Sequence, residues 1–261
     1  MLKGIDVSGW QEYSPVHGDF VIIKASEGVG FKSDGLDRHY NSYHGSNDGK
    51  PDNNLLYGFY HYARPDLGNA PEDEADWFLS LVGHHAGHAI FALDWEAGAL
   101  DYPAEWALRW LNRVTEKTGV KALFYCSASV ENSGKYNVIR DNDYGLWVAD
   151  YRGRGTPEVK NWPFWAIWQF TSVPVDQNYF NGGVNQFKAY CNNSTPTASD
   201  NKIEVGDFVK VETAIDYNGV ENASWVLNAT FSVMQINGDR VVIGRNGAIT
   251  GAWRMSDLYK L

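Results

Sequence analysis

The sequence predicts an α/β chain: a closed, mainly parallel barrel followed by a small all-β barrel. Three observations predict it. Seven strand-length apolar runs recur over roughly 190 residues, with helical patterns between several of them. A polar stretch without apolar periodicity, "NNSTPTASDN", then occupies Asn192 to Asn201. Beyond it come short β runs separated by turn signals. The expected boundaries are 1–191 for the large barrel, 192–201 for a linker and 202–261 for the small module.

In order, the runs are "LKGIDVS", "FVIIKAS", "LLYGFYHYA", "AIFALDWEA", "KALFYCSAS", "YGLWVADY" and "FWAIWQFTS". Each is rich in β-branched or aromatic residues. Between the third and fourth, "APEDEADWFLSLVGHH" opens with acids in its first turn and spaces Ala75, Phe78, Leu79 and Val82 as one helical face. "PAEWALRWLNRVTEKTG" starts at Pro103, ends at Gly119 and carries Trp106, Trp110, Leu111 and Val114. After "KALFYCSAS" the helical patterns weaken, so the barrel's second half is expected to be helix-poor. In the tail, "INGDRVVIG" sets Asn237-Gly238-Asp239 between two apolar strands, a hairpin signal.

Composition narrows the function classes. The net charge of −10 disfavours a nucleic-acid partner, which needs a basic surface. No Lys/Arg run suggests a membrane patch, no stretch is long enough to span a bilayer, and "MLKGIDVSGW" lacks a secretory apolar core. The expectation is a protein made and left in the cytosol, without membrane insertion. Cys126 and Cys191 read as buried free thiols. Aromatic residues reach 15%, with 11 Trp, which agrees with a glycan ligand and equally with core packing.

The acids sharpen the reading. In "AIFALDWEAGAL" a buried strand ends in Asp94 and Glu96, two residues apart around Trp95. Period-two alternation sends both carboxylates to one face and Trp95 to the other. Acids at the end of a buried strand are expensive unless something uses them. Parallel barrels collect their chemistry at C-terminal strand ends, where Asp6, Glu27, His61, Asp94, Glu96, Tyr125, Asp150, Tyr151, Gln169 and Asp176 fall. Four carboxylates (Asp6, Asp94, Glu96 and Asp176) converging on one mouth beside aromatics favour glycoside hydrolysis.

These residues also carry a resemblance. "KGIDVSGWQ", "IIKASEG", "GFYHYARP", "LDWE", "WVADY" and "IWQFTS" followed by "VDQN" resemble the successive motifs of family 25 glycoside hydrolases, the Chalaropsis-type lysozymes, many of them phage endolysins. The match runs over about residues 2–190 in the family's order, while "SYHGSNDGKPDNNLL" departs from its usual wording. The resemblance implies a modified TIM-like barrel of five β/α units closed by three further strands. It implies cleavage of the β-1,4 bond from N-acetylmuramic acid to N-acetylglucosamine, with no metal and no organic cofactor. It assigns the acid carboxylates to Asp6, Asp94, Glu96 and Asp176, with Glu96 the proton donor. The tail "VGDFVKVETAIDYNG" onward is similar to the SH3-like wall-binding modules of phage lysins, with Tyr217, Trp225 and Trp253 as candidate contacts.

The chemistry requires Glu96 to stay protonated, which burial and the neighbouring Asp94 would favour. Asp94 suits either a nucleophile or a group orienting the substrate's own N-acetyl oxygen; the latter is preferred because the substrate carries that group. Tyr60, His61, Glu27, Tyr125, Trp147, Tyr151, Trp168 and Gln169 are the expected substrate-binding residues, Glu27 having an ion pair with Lys24 as its alternative. "HHAGH" (His84, His85, His88) reads as a solvated helix end rather than a metal site. The expected partner is bacterial peptidoglycan, the chain is taken as a monomer, and the expected setting is the cytoplasm of an infected bacterium before release onto the wall. Two rival functions are a chitinase-like glycosidase and a non-catalytic wall-binding or virion protein.

Overall fold

Near-continuous burial marks the strands of the first unit, which are covered on both faces, and the strands close into a ring. The computed structural model describes residues 1–11, 18–44, 56–153, 155–192, 203–245 and 247–260. By contacts the chain divides into two units, Met1–Ser194 and Thr195–Leu261. The expected linker lies almost wholly outside the described residues, as does most of "SYHGSNDGKPDNNLL".

The strands are β1 (Leu2–Val7), β2 (Phe20–Glu27), β3 (Phe31–Lys32), β4 (Leu56–Tyr62), β5 (Ile90–Asp94), β6 (Leu123–Ser127), β7 (Leu146–Ala149), β8 (Ile167–Thr171) and β9 (Gln177–Phe180). Pairing runs in parallel from β1 through β2, β4, β5, β6 and β7 to β8. The antiparallel β9 bridges β8 back to β1, closing an eight-stranded barrel, and β3 is a short antiparallel flap on β2. Helices follow four strands: α1 (Leu36–His44), α2 (Pro71–Val82), α3 (Ala104–Thr118), and the short pair α4 (Ala128–Asn132) and α5 (Asn137–Asp141). Among the described residues no helix separates β7, β8 and β9. Between β1 and β2, where a fifth helix-bearing unit would lie, residues 12–17 are outside the described residues.

Local chemistry explains the two long helices. Pro71 opens α2, and Glu72, Asp73 and Glu74 sit in its first turn, where carboxylates meet the unpaired N–H groups and the positive dipole end. Ala75, Phe78 and Val82 form its buried stripe. In α3, Trp106, Ala107, Trp110, Leu111 and Val114 are buried. Gly119 stops it at φ 74°, a left-handed cap that donates its N–H to the Thr115 carbonyl.

Two apolar layers result. The outer one fills the space between wall and helices with Val7, Val21, Ile23, Phe59, Phe91, Leu93, Trp95, Phe124 and Trp168. The inner one fills the barrel with Phe20, Ile22, Ile90, Ala92, Leu123, Ile167 and Phe180. Gly58 faces inward where a Cβ would lie 2.6 Å from the Ile90 carbonyl and 2.7 Å from the Ile22 side chain, so packing there leaves no room for one. Helix α6 (Val184–Asn192) closes the floor by packing Phe187 and Cys191 into this inner layer. Both cysteines are free and buried.

The second unit holds β10 (Phe208–Val211), β11 (Phe231–Asn237), β12 (Arg240–Arg245), β13 (Ala248–Arg254) and β14 (Leu258–Lys260). They form one antiparallel sheet in the order β13-β12-β11-β10-β14. The β11–β12 hairpin pairs Asn237 with Arg240 across a turn in which Gly238 adopts φ 60°. Trp253 is corrected from a surface contact to a core residue: it is fully buried and donates its indole N–H to the Thr213 carbonyl at 3.0 Å. Trp225 remains half-exposed.

Candidate active site

Four carboxylates reach the C-terminal mouth because of where strand alternation leaves them. On β1 the inward positions are Leu2, Gly4 and Asp6, and on β5 they are Ile90, Ala92 and Asp94. Past Asp94 the chain stays extended through Glu96 (φ −149°, ψ −177°), so Glu96 faces the same way. Trp95 turns outward, fully buried against Trp106 and Tyr136. Ala97 then takes φ 47°, an unusual conformation for a residue with a Cβ, and starts the 3₁₀ turn Ala97–Asp101. Asp176, just before β9, accepts the Asp6 N–H with its carbonyl at 3.1 Å. The resulting cavity, about 190 Å³, is lined by Asp6, Tyr60, Asp94, Glu96, Tyr125, Trp147, Tyr151, Gln169 and Asp176.

A chain of buried amides fixes Asp6. Its Oδ2 accepts from Gln169 Nε2 at 2.8 Å and from Asn178 Nδ2 at 2.7 Å. Asn178 Oδ1 in turn accepts the Trp147 indole N–H at 2.9 Å. An indole nitrogen can only donate, so this bond settles which end of the Asn178 amide faces Asp6. Gln169 Oε1 accepts from Tyr125 OH at 2.9 Å and from Tyr151 OH. Asp94 is treated differently: its Oδ1 is buried and has no hydrogen-bond partner among the described residues.

Burial and mutual repulsion raise the acids. Desolvation, then the Asp176 charge, pushes Asp6 up to about 7 against its two amide donors. Asp176 rises to about 6 through desolvation and Glu96. Asp94 is held well above the usual carboxylate range by burial and by Glu96. Burial raises Glu96 as well, opposed by the Lys24 ammonium. Glu96 is the exposed member of its pair, Asp94 the buried one. The arrangement therefore offers a solvent-reachable acid whose proton is held more tightly than usual, beside a buried carboxyl group whose Oδ1 has no hydrogen-bond partner among the described residues.

Three expected residues lie elsewhere. His61 neighbours Tyr60 on β4, so it points to the opposite face, where it is fully buried. It stacks on Trp110 at 5.4 Å, contacts Ser26 Oγ through Nδ1 and Glu74 Oε2 through Nε2, both at 2.8 Å. Trp168 likewise faces outward from Gln169, packs in the outer layer and donates its indole N–H to the Asp150 carbonyl at 2.9 Å. Glu27 lines a neighbouring hollow with Trp10, Lys24, Tyr62, Arg64 and Asp66. Its carboxylate bonds Lys24 at 2.8 Å and Arg64 at 2.6 Å, and these cations hold it below its ordinary range despite partial burial. A bulge in the β2–β4 register between Lys24 and Ser26 brings Lys24 and Glu27 to one side of the strand. Trp147 lines the cavity as nearly buried floor, while Tyr151 is half-exposed at its edge.

Sequence reasoning missed Asn178. The signal was present, since Asp176 and Asn178 are two apart and alternation gives them one face. Among the histidines of "HHAGH", His85 packs against Tyr40, Tyr57 and Phe59. Among the described residues no group of three or more His, Cys, Asp or Glu could hold a metal ion.

Known proteins share this architecture. The chain is 30% identical to Lysozyme M1 of Streptomyces globisporus, with 74% of this chain and 72% of that protein covered. It is 25% identical to an N,O-diacetylmuramidase of Chalaropsis, covering 72% and 97%. The bacterial lysozyme structure from Streptomyces coelicolor superposes with a TM-score of 0.62 at 26% identity, over 74% of this chain and 98% of that one. Residues 5–179, which span every carboxylate of the cavity, match the glycosyl hydrolases family 25, and the chain belongs to that family.

Proposed function

We propose that the chain is a peptidoglycan hydrolase, an N-acetylmuramidase that cuts the β-1,4 bond between N-acetylmuramic acid and N-acetylglucosamine. Family membership and the lysozyme and muramidase relatives support the reaction class. The single observation that carries the mechanism is the unequal pair at the end of β5: Glu96 open to the cavity and raised, Asp94 buried with an Oδ1 unmet among the described residues. Glu96 protonates the leaving oxygen. Asp94 accepts the N–H of the substrate's N-acetyl group, aiming the acetyl oxygen at the anomeric carbon as its bond to the leaving oxygen breaks. Asp6 and Asp176 supply negative potential opposite the developing positive charge. Tyr60, Tyr125, Tyr151 and Gln169 shape the cavity, and Trp147 forms its floor.

In this reading the protein is a phage endolysin, held in the host cytoplasm until release and acting on the wall as a monomer. The C-terminal unit is its SH3-like wall-binding module. Borohydride reduction of digested peptidoglycan followed by mass spectrometry tests the cut. Muramitol at the new reducing ends is the expected product. Glucosaminitol, or freed peptides without new reducing sugars, would refute it.

A further inference from the structure

The C-terminal unit places two like charges where a sheet ordinarily avoids them. Arg240 on β12 and Arg254 on β13 are direct cross-strand partners. Like charges directly opposite one another destabilise an antiparallel pair. Both guanidiniums lie against one ring, at 6.0 Å (Arg240) and 5.6 Å (Arg254) from the centroid of Tyr217. That ring comes from a separate segment and is held in place. The Tyr217 N–H donates to the Ala252 carbonyl at 2.7 Å. The loop after it is pinned by Asp216, whose Oδ1 accepts the N–H groups of Asn218 and Val220, each at 2.9 Å.

The neighbouring acids leave the pair under-neutralised. Asp239 Oδ2 is 3.6 Å from Arg254, both side chains are about half exposed, and Asp239 Oδ1 already accepts the Met255 N–H at 3.2 Å. An exposed pair at that distance contributes little. Arg240 has no carboxylate partner among the described residues. Two guanidinium forks on a preformed aromatic platform thus share one loosely held carboxylate. The unit as a whole, these two arginines included, is near neutral, with six Lys/Arg against seven Asp/Glu over 202–261.

We propose that Tyr217, Arg240 and Arg254 form an anion-binding site that takes the phosphodiester groups of a polyanionic wall polymer. A tetrahedral phosphate presents oxygens to two forks at once, whereas one planar carboxylate is satisfied by one fork. The polyol carbons between phosphates pack on the Tyr217 ring. The polymer's identity rests on the wall-binding reading of this unit, but the anion chemistry does not.

The test uses the full chain and a short poly(glycerol phosphate) oligomer, with binding measured by calorimetry. Saturable binding is expected, weakened about tenfold or more by R240Q/R254Q and severalfold by Y217L. Cleavage of soluble peptidoglycan should be unchanged in both variants, which reports an intact barrel, and the melting transition of the C-terminal unit reports that this unit folds in both. The double variant should melt no lower than the wild type, because the cross-strand repulsion is gone. A peptidoglycan stem peptide, bearing only carboxylates, should bind far more weakly. Undiminished oligomer binding by the double variant, or equal binding of the stem peptide, would overturn the site. A separate arm tests the parent reading, comparing full chain with residues 1–191 on walls before and after phosphate polymer is stripped. Equal lysis by both chains on intact walls refutes wall targeting, while the oligomer result still stands or falls by itself.

Discussion

Glu74, Glu131 and Asp94 are all buried carboxylates, and the fold treats them in opposite ways. Glu74, in the layer outside the barrel wall, contacts His61 Nε2 at 2.8 Å and accepts from the Arg64 N–H and Asn69 Nδ2, both at 3.0 Å. Glu131 accepts the backbone N–H groups of Lys160, Asn161 and Trp162 at 2.9, 2.5 and 2.9 Å. Each stitches a loop to a helix, and both oxygens of each are met. Asp94, inside the mouth, keeps an oxygen with no partner among the described residues and faces a second acid across one residue. A buried carboxyl group met on all sides holds structure together. One left open stores an unfavourable state that a ligand's N–H relieves.

The largest expected effect falls on the open side. Glu96→Gln should lower turnover by about 10²–10⁴-fold with unchanged circular dichroism, because an amide cannot donate the required proton. Wild-type lysis by a folded variant would break the assignment.

Next comes a direct contrast between the two kinds of carboxylate. Asp94→Asn should lose about 100-fold in turnover yet melt at nearly the same temperature, since the Asp94 Oδ1 has no hydrogen-bond partner among the described residues to lose. Glu131→Gln should do the reverse. It turns an NH₂ toward a backbone donor, costing about 1–3 kcal/mol of stability, while turnover measured below melting stays near wild type. If Glu131→Gln is inactive but fully stable, or Asp94→Asn is active but unstable, the comparison has been read backwards.

The smallest effect is in the pH dependence of stability. Asp6 and Asp176, raised to about 7 and about 6, keep protons in the folded barrel that the unfolded chain releases near pH 4. Their contribution is fully present below about pH 4 and is lost as pH rises through those values. Asp150, drawn down to about 2 by Arg152, works the other way: its contribution is present above about pH 4 and lost toward pH 2. The barrel's melting temperature should therefore fall from mildly acid to neutral pH. Asp6→Asn should flatten that slope, and scanning calorimetry across the range decides it.

Much of this was legible from periodicity. The spacing of Asp94, Trp95 and Glu96 gave two acids inward and one indole outward, as found, because the strand stays extended through all three. The same rule, applied strictly, also forbade two of the expected contacts. Tyr60 and His61, like Trp168 and Gln169, are adjacent on one strand and cannot both face the cavity. What periodicity could not deliver was the bulge near Ala25 that swings Glu27 toward Lys24, since a bulge is a property of two paired strands. Nor could it deliver the Trp147–Asn178–Asp6 relay, which joins residues far apart in sequence across the barrel interior.

The floor of the barrel has a further meaning for a polymeric substrate. With Phe187 and Cys191 of α6 packed against Phe20 and Phe180 in one buried cluster, the described residues fill the axis. A glycan strand therefore cannot be threaded and ratcheted along like rope through a ring. In the proposed muramidase reading it lies across the mouth, with both of its ends extending away from the protein. An interior linkage is then as accessible as a terminal one, and each cut lets both fragments lift off sideways. Such geometry suits scattered cuts in a meshwork, where severing a few strands at random weakens the net sooner than trimming them from their ends.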